Sequence, residues 1–203
     1  MPSLSLEQKW LPQIVAGVDE AGRGPLMGPV FAAAVIINPD YIIKGIDDSK
    51  KISEPRREEL FEEIIKHYQY GIGSASPAEI DEINILEATK LACQRAITNL
   101  PTLPAIVLID GNMKFPQEHY VSVIKGDQLS LSIAAASVIA KVSRDRLIYE
   151  LAQDFPNYGW KKNKGYGTKL HIEAIGKYGM TEHHRKSFMR ITNRARGDDK
   201  KIN

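Results

Sequence analysis

The sequence predicts a single α/β domain, and three observations support this prediction. The chain has 203 residues, which is enough for one hydrophobic core and short for two. Its hydrophobic fraction of 43% and charged fraction of 26% are typical of globular proteins. Short apolar segments alternate with amphipathic helical segments, and no repeat, low-complexity tract or linker interrupts them.

The first half of the chain is predicted to alternate strands with a helix. Residues 14–19 (IVAGVD) and 30–37 (VFAAAVII) are short and apolar with β-branched side chains, which favours buried strands. The segment between them, AGRGPLMGP, is too rich in Gly and Pro for either regular element. Ser53 can cap a helix that has a proline in its first turn and an apolar face. Residues 68–75 (YQYGIGSA) then alternate like a third strand.

The second half adds longer helices and two further strands. Two helix starts, SPAE at Ser76 and NILE at Asn84, each combine a capping side chain with a Glu three residues later. Residues 105–109 (AIVLI) are almost wholly apolar, which is typical of a strand in the middle of a covered sheet, and residues 121–124 resemble another strand. Further helices are predicted from Asp127 to about Asp154, over 171–177 and over 181–189.

The composition excludes several classes of protein. The longest uncharged stretches, 25–39 and 128–140, are shorter than the roughly 20 residues that a membrane helix needs. The N-terminus has no basic stretch leading into an apolar core, so it is not a secretory signal. Cys93 is the only cysteine, which excludes an internal disulfide and an all-cysteine metal site, and we interpret it as a small core residue. We therefore expect a soluble, cytoplasmic protein.

Charge is distributed unevenly along the chain. The residues after Trp160 carry twelve basic and four acidic side chains, a net charge of +8, whereas the first 160 residues carry a net charge of −6. A basic terminal segment of about residues 160–203, which we expect to pack as a small helical lobe and tail, suggests a polyanionic partner. A solubilising tail is the alternative, and residues 194–203 are predicted to be a frayed end.

Acidic residues follow two predicted strands and begin a predicted helix. Asp19 and Glu20 close the first strand, Asp110 closes AIVLI, and Asp127 stands at the start of the long helix. If these side chains converge, unit charges about 4 Å apart repel by roughly 4 kcal/mol at an effective dielectric constant near 20. An all-oxygen site of this kind suits Mg²⁺ or Mn²⁺, and two such ions can hydrolyse a phosphodiester. Taken singly, an acid at a strand end is usually a solvated cap or turn residue, and the metal-site hypothesis depends on the acids converging.

Two local features bear on this hypothesis. Neighbouring residues of a strand point to opposite faces, so we expect the chain to turn at Glu20 if Asp19 and Glu20 share a site. The following Gly22-Arg23-Gly24 allows the backbone to approach a ligand closely and adds a cation. A dinucleotide-binding fingerprint does not fit, because the glycine spacing is wrong and no clean helix follows. A plain tight turn remains the alternative for these glycines.

Several motifs together resemble the ribonuclease HII family. They occur in family order across nearly the whole chain: DEAGRGPLMGPV (19–30), DDSKKIS (47–53), INILEATKLA (83–92), LIDG (108–111), KGDQLSLSIAAASVIAKVSRD (125–145), GYGTKLH (165–171) and HRKSF (184–188). The resemblance implies a ribonuclease H-like fold, with a mixed five-stranded sheet flanked by helices and a C-terminal helical region. It also implies metal-dependent endonucleolytic cleavage of RNA in RNA–DNA hybrids and at single ribonucleotides embedded in duplex DNA.

The resemblance assigns roles to particular residues. The family's four catalytic, metal-binding acids fall on Asp19, Glu20, Asp110 and Asp127, which would hold two Mg²⁺ or Mn²⁺ ions. Its nucleic-acid-binding residues fall on Gly22, Arg23, Gly24 and Tyr166. The glycine-arginine-glycine backbone would contact the ribonucleotide 2′-hydroxyl and the flanking phosphates, and Tyr166 would stack on the following deoxyribose. Lys50, Lys51 and the terminal basic residues would bind phosphates, although ordinary solvated lysines are the alternative.

The resemblance also implies a reaction and a cellular role. Hydrolysis would occur on the 5′ side of the ribonucleotide and leave a 3′-hydroxyl and a 5′-phosphate, with Asp19 shared between the ions. The implied processes are ribonucleotide excision repair and DNA replication, carried out by a monomer. His171 and His184 lie in family segments, and we interpret them as structural hydrogen-bonding residues rather than catalytic ones. After HRKSF the chain reads MRI where many relatives carry a proline, which affects only the path of the tail.

Three alternative functions are weighed against the residues: ribonuclease HIII, type 1 ribonuclease H and a non-catalytic module that binds RNA–DNA hybrids. Ribonuclease HIII carries an extra N-terminal domain, for which the thirteen residues before the first predicted strand leave no room. Type 1 ribonuclease H lacks the pairing of the glycine-arginine-glycine motif with the tyrosine. A non-catalytic hybrid-binding module is disfavoured because unneeded carboxylates near phosphates only repel them.

Overall fold

The computed structural model describes residues 1–189 and contains a mixed five-stranded sheet. The spatial order is β3-β2-β1-β4-β5. The strands are β1 (Val15–Ala21), β2 (Val30–Ile36), β3 (Gln69–Ala75), β4 (Ile106–Asp110) and β5 (Tyr120–Val123). β2 is antiparallel to β1 and β3, whereas β4 is parallel to β1 and β5 is parallel to β4. The predicted fold class is therefore confirmed.

Helices cover both faces of the sheet. They are α1 (Glu54–His67), α2 (Pro77–Thr98), α3 (Gly126–Leu129), α4 (Leu131–Asp154), α5 (Trp160–Asn163) and α6 (Lys169–Tyr178). α2 packs its small apolar residues against one face, and α4 packs against the other face with α1 outside it. Both predicted starts of α2 are confirmed, because its axis is interrupted at Asn84, whose side chain caps the second segment. No helix of residues 1–189 is long and apolar enough to cross a membrane.

The close approach of α4 to β1 depends on Gly17. A Cβ atom at Gly17 would overlap the backbone at Ser132 and Ile133, in the first turn of α4. Only a residue without a side chain therefore allows this helix to reach the sheet two residues before Asp19. The contact places the beginning of α4 directly behind the carboxyl end of β1.

Gly17→Ala is expected to destabilise the fold by about 3 kcal/mol, because overpacking against a fixed backbone cannot be relieved by a rotamer change. Urea unfolding followed by circular dichroism measures this loss. Gly176→Ala in α6 is the matched control, since a Cβ there meets nothing within 4 Å. This control should raise stability by about 0.5–1 kcal/mol through helix propensity. Equal stability of the two variants would contradict the packing explanation.

The single long helix predicted from Asp127 is wrong, because the helix is divided at Ser130. Ser130 is extended (φ −105°, ψ 128°), and its hydroxyl accepts the Ile133 amide to cap α4. The N-terminal segment stabilises this break: the Ser3 carbonyl accepts the Leu131 amide, and the buried Glu7 carboxylate accepts from the Ser130 hydroxyl. Asp127 thus lies in the separate one-turn helix α3.

The C-terminal predictions are partly corrected. The helix expected over 171–177 is present as α6. The helix expected over 181–189 begins only at residue 186, because residues 181–184 form a turn in which His184 pairs with Met27. Residues 190–203 lie outside the described part of the chain, and with them the predicted frayed end and much of the predicted basic lobe.

Candidate active site

Three of the four singled-out acids lie at or just beyond the carboxyl ends of neighbouring parallel strands: Asp19 near the end of β1, Asp110 at the end of β4 and Asp127 after β5. β1 and β4 pair in register up to Val18 and Ile109, and the next residues are Asp19 and Asp110. Asp110 in turn pairs with Val123 at the end of β5, and the chain then enters α3, which carries Asp127. The Gly126 amide donates to Asp110 Oδ1 at 2.7 Å and so ties α3 to β4. Parallel strand ends therefore bring these acids to one edge of the sheet.

Glu20 reaches this edge without the predicted turn. β1 remains regular through Ala21, and Glu20 pairs with Ala32 of β2, so the expectation that the chain turns at Glu20 is wrong. The strand ends one residue later, at Gly22, whose φ of 96° is in the left-handed region. Arg23 Nη1 lies 3.4 Å from Glu20 Oε1 and links the carboxylate to the glycine-arginine-glycine loop.

The carboxylates interact strongly through a poorly solvated space. Burial raises the pKa of Asp19 well above its usual range, and Glu20, Asp110 and Asp127 raise it further. Burial also raises the pKa of Glu20, and Asp110 contributes in the same direction against the lowering effect of Arg23. Burial and then Asp110 raise the pKa of Asp127. The four acids thus form one electrostatic cluster that lacks enough positive charge.

Lys50 supplies part of the missing positive charge. Burial alone would lower its pKa, but Asp19, Asp48, Asp127 and Asp110 outweigh burial and raise it. Its backbone amide donates to Asp48 Oδ1 at 3.0 Å, which holds the lysine loop beside the acids. The prediction that Lys50 binds phosphates is compatible with this place next to the cluster.

The donor set suits a divalent cation. Glu20 Oε2 is buried and, among the described residues, has no hydrogen-bond partner, so an oxygen ligand is available. Carboxylate oxygens are the ligands that Mg²⁺ and Mn²⁺ prefer, and a cation would relieve the repulsion around Asp19. Within residues 1–189, no group of three or more His, Cys, Asp or Glu side chains is arranged to hold a metal ion.

A cleft of about 300 Å³ extends from the acids to Tyr166. Gly24 lies against the tyrosine ring, since a Cβ there would be 3.4 Å from Tyr166 Cε1. The Leu26 amide donates to the Gly165 carbonyl at 2.8 Å, which joins the glycine-arginine-glycine loop to the tyrosine loop. The cleft is lined by Asp19, Glu20, Ala21, Gly22, Arg23, Gly24, Ser49, Lys50, Lys141, Arg144 and Tyr166.

Arg185 supports the floor of this cleft, and the sequence reasoning missed its role. Its side chain is fully buried, and its guanidinium donates to the carbonyls of Gly22, Arg23, Pro25 and Gly28 at 2.6–3.0 Å. In a trans peptide the carbonyl and the following N–H point in opposite directions. The amides of Arg23 and Gly24 therefore point away from the buried guanidinium. In the sequence, the one indication of this role was that Arg185 belongs to the HRKSF motif.

A second buried arginine, Arg144 of α4, closes the same loop from behind. It donates to the carbonyls of Met27, Pro29 and Lys164 at 3.1–3.3 Å. A Cβ at Gly22 would overlap Arg144 Nε, so the glycine is required by this packing. No carboxylate within residues 1–189 forms a salt bridge with Arg144 or Arg185, and burial lowers the pKa of both, to about 9 for Arg185. Two poorly compensated cations thus lie behind the loop.

Comparison with known proteins identifies related sequences along the chain. The family model described as Ribonuclease HII matches residues 16–192. Ribonuclease HII of Orientia tsutsugamushi (strain Ikeda) is 56% identical over 187 residues, which cover 92% of this chain and 91% of that protein. Ribonuclease HII of Rickettsia akari (strain Hartford) is 58% identical over 185 residues, which cover 91% and 96% respectively.

Solved structures agree in fold. Ribonuclease H2 from Pyrococcus horikoshii OT3 is 30% identical with a TM-score of 0.72, covering 90% of this chain and 98% of that one. The structure described as Bst-RNase HIII in complex with Mn²⁺ has a TM-score of 0.74 at 17% identity, covering 99% and 75%, and supports the fold alone.

Proposed function

The chain belongs to the ribonuclease HII family and is a metal-dependent endoribonuclease, and from this premise we propose that it cleaves RNA–DNA hybrids and single ribonucleotides embedded in duplex DNA. Cleavage occurs on the 5′ side of the ribonucleotide and leaves a 3′-hydroxyl and a 5′-phosphate. The observation that carries this proposal is the electrostatic cluster of Asp19, Glu20, Asp110 and Asp127, of which Asp19 and Glu20 line the cleft. The enzyme acts as a cytoplasmic monomer in ribonucleotide repair and replication.

The acids are proposed to be metal ligands. When bound, two Mg²⁺ or Mn²⁺ ions would supply an activated water and charge stabilisation for the leaving oxygen. Asp19 precedes Glu20 in sequence, and it follows Val18, which pairs with the residue before Asp110 in the sheet. Asp19 is therefore the candidate for the carboxylate that both ions share. Glu20, with one buried unpartnered oxygen, is available as a ligand. Lys50, whose pKa the neighbouring acids raise, is proposed to contact the phosphate that is cut.

The two loops beyond the acids are proposed to read the nucleotide. The amides of Arg23 and Gly24 point away from Arg185, and their loop lines the cleft, so they can donate to the 2′-hydroxyl or a flanking phosphate. Tyr166 is half exposed at the opposite end and can stack on the following deoxyribose. A 2′-hydroxyl on that sugar would crowd the ring, which gives the site a preference for an RNA-to-DNA junction.

The central experiment uses a labelled duplex with one ribonucleotide, incubated with Mg²⁺, Mn²⁺ or EDTA. We expect cleavage on the 5′ side with either metal and none with EDTA. A matched all-DNA duplex is the control and should remain intact. Binding without cleavage in every metal would instead favour the non-catalytic hybrid-binding alternative, and cleavage in EDTA would contradict the metal site.

Tyr166→Ala is expected to lower kcat/KM on the one-ribonucleotide duplex about tenfold or more, because a base- or sugar-stacking ring contributes about 1–3 kcal/mol. Its free energy of unfolding should change by less than about 0.5 kcal/mol, since the ring is half exposed. Tyr166→Phe keeps the ring and should remain near the parent. Tyr41→Ala, which removes an equally exposed ring outside the cleft, is the control. Unchanged cleavage by Tyr166→Ala would remove its proposed role.

A further inference from the structure

His171 and His184 form a buried pair directly behind the Tyr166 loop. Both side chains are almost completely inaccessible to solvent, and their Nε2 atoms lie 3.2 Å apart. Neither residue lines the cleft, so neither can contact a substrate there. The prediction that they are structural hydrogen-bonding residues agrees with these contacts. Their hydrogen bonds connect them to Trp160 and to the backbone of Tyr166.

The hydrogen-bond partners determine which nitrogen of each ring carries the proton. The indole N–H of the buried Trp160 can only donate, and it donates to His171 Nε2 at 2.9 Å. His171 Nε2 is therefore an acceptor, and the ring proton is on Nδ1. The backbone amide of Thr181 donates to His184 Nδ1 at 2.9 Å, so the proton of His184 is on Nε2. Both protonation states are assigned in this way because the Trp160 indole N–H and the Thr181 backbone N–H can only donate a hydrogen bond.

These tautomers make a chain of hydrogen bonds with one direction. The single lone pair of His171 Nε2 accepts from the Trp160 N–H at 2.9 Å and is shared with the His184 Nε2–H at 3.2 Å, and His171 Nδ1–H donates to the Tyr166 carbonyl at 2.9 Å. The same carbonyl accepts the Thr168 amide at 2.8 Å, and the Tyr166 amide donates to Asn163. Burial lowers the pKa of both rings, to about 4 for His184, which keeps them neutral near pH 7. A charged His171 could not accept from Trp160.

We propose that His171 and His184 are positioning residues for substrate selectivity, because their directed hydrogen-bond chain fixes the Tyr166 peptide and so holds the tyrosine ring at the end of the cleft. The inference rests on the proposed function of Tyr166 as the residue that senses the junction. The ring is half exposed, so the orientation of its backbone strongly affects where the ring lies. Neither histidine takes part in proton transfer to substrate.

Asn and Gln substitutions separate positioning from simple structural support. Asn at position 171 can place an amide N–H near Nδ1 and keep the bond to Tyr166, but it loses the acceptor for Trp160. Gln can place its amide near Nε2 and keep the acceptor for Trp160, but it loses the bond to Tyr166. His171→Asn leaves the Trp160 N–H and the His184 Nε2–H without their acceptor, whereas in His171→Gln the Tyr166 carbonyl still accepts the Thr168 amide, so His171→Asn is expected to lose more thermal stability. Only His171→Gln should release the tyrosine.

The test compares kcat/KM on a duplex with one ribonucleotide against kcat/KM on a uniform RNA–DNA hybrid, where the junction is absent. His171→Gln is expected to lower this ratio about tenfold, as for loss of one positioning hydrogen bond, whereas His171→Asn should stay within about threefold of the parent. His183→Gln is the control, because His183 lies in the same aromatic cluster without a side-chain contact to Tyr166. Equal ratios for the two His171 variants, whether unchanged or lowered together, would overturn the inference.

Two further measurements keep the result decisive. Long-range ¹H–¹⁵N NMR of the imidazole rings in the full chain should show the Nδ1–H tautomer for His171 and the Nε2–H tautomer for His184; any other form overturns the hydrogen-bond chain. Tyr166→Ala is measured in parallel. If it lowers the ratio and His171→Gln does not, the inference alone fails. If Tyr166→Ala leaves the ratio unchanged, the proposed role of Tyr166 fails and the inference fails with it.

Discussion

Asp19→Asn and Asp110→Asn are each expected to reduce cleavage about a thousandfold or more, because metal ligation supplies several kcal/mol of transition-state stabilisation. Neither variant should unfold the protein. Asn retains an oxygen that can accept the amide of Glu20 or of Gly126, which the aspartates accept now. Cleavage of the one-ribonucleotide duplex in Mg²⁺ measures the loss, and hybrid binding should persist.

The stability of Asp19→Asn provides an independent check of the cluster. Burial and three neighbouring acids raise the pKa of Asp19, so its ionised form destabilises the folded state near neutral pH. The neutral amide should therefore leave the metal-free protein at least as stable as the parent in urea unfolding. Asp145→Asn is the control, because this buried carboxylate accepts from Lys141 at 2.8 Å and should lose stability when neutralised. Retained Mg²⁺-dependent activity in both Asp19→Asn and Asp110→Asn would refute the site assignment.

Arg185→Lys is expected to weaken substrate binding about tenfold or more and to destabilise the fold by about 3 kcal/mol. A lysine ammonium cannot reach four carbonyls as the planar guanidinium does, and each lost bond from a charged donor costs about 1.5–3 kcal/mol. Without these bonds the amides of Arg23 and Gly24 lose their fixed direction toward the cleft. KM for the one-ribonucleotide duplex and urea unfolding measure the two effects.

The measurement of Arg185→Lys is made well below its unfolding temperature, so that the change in KM reports on the folded state. Arg56→Lys is the matched control, because Arg56 is exposed and forms only surface contacts. This variant should change stability by less than about 0.5 kcal/mol and leave KM unaffected. A parental KM for Arg185→Lys would show that the loop keeps its conformation without the guanidinium.

Local patterns predicted the elements that depend on neighbouring residues. The five strands follow runs of apolar and β-branched residues, and the capping box at Ser76 forms with both of its hydrogen bonds. Position at strand ends singled out Asp19 and Asp110, and position at the start of a predicted helix singled out Asp127. Parallel strands necessarily end at the same edge of a sheet, so three such acids become neighbours once the strand order is established.

Glu20 and Ser130 show where local patterns failed. The pleat correctly implied that Asp19 and Glu20 alternate, but it did not reveal that both join one electrostatic cluster while β1 continues through Ala21. The helix predicted from Asp127 ran across Ser130, whose hydroxyl donates to Glu7, 123 residues away in sequence, at the break. A buried carboxylate that accepts from Ser130 favours the extended conformation over one more helical residue.

The sequence by itself determined the strands, the starts of α1 and α2, the acidic residues at the sheet edge and, through its motifs, the family. Only the tertiary structure decided which buried groups hold those residues in place. Arg185 donates to the Gly22 carbonyl, 163 residues away in sequence. His171 and His184 form a hydrogen-bonded pair behind the Tyr166 loop. Such contacts form only when distant segments pack together, so no periodic or local pattern in the sequence predicts them.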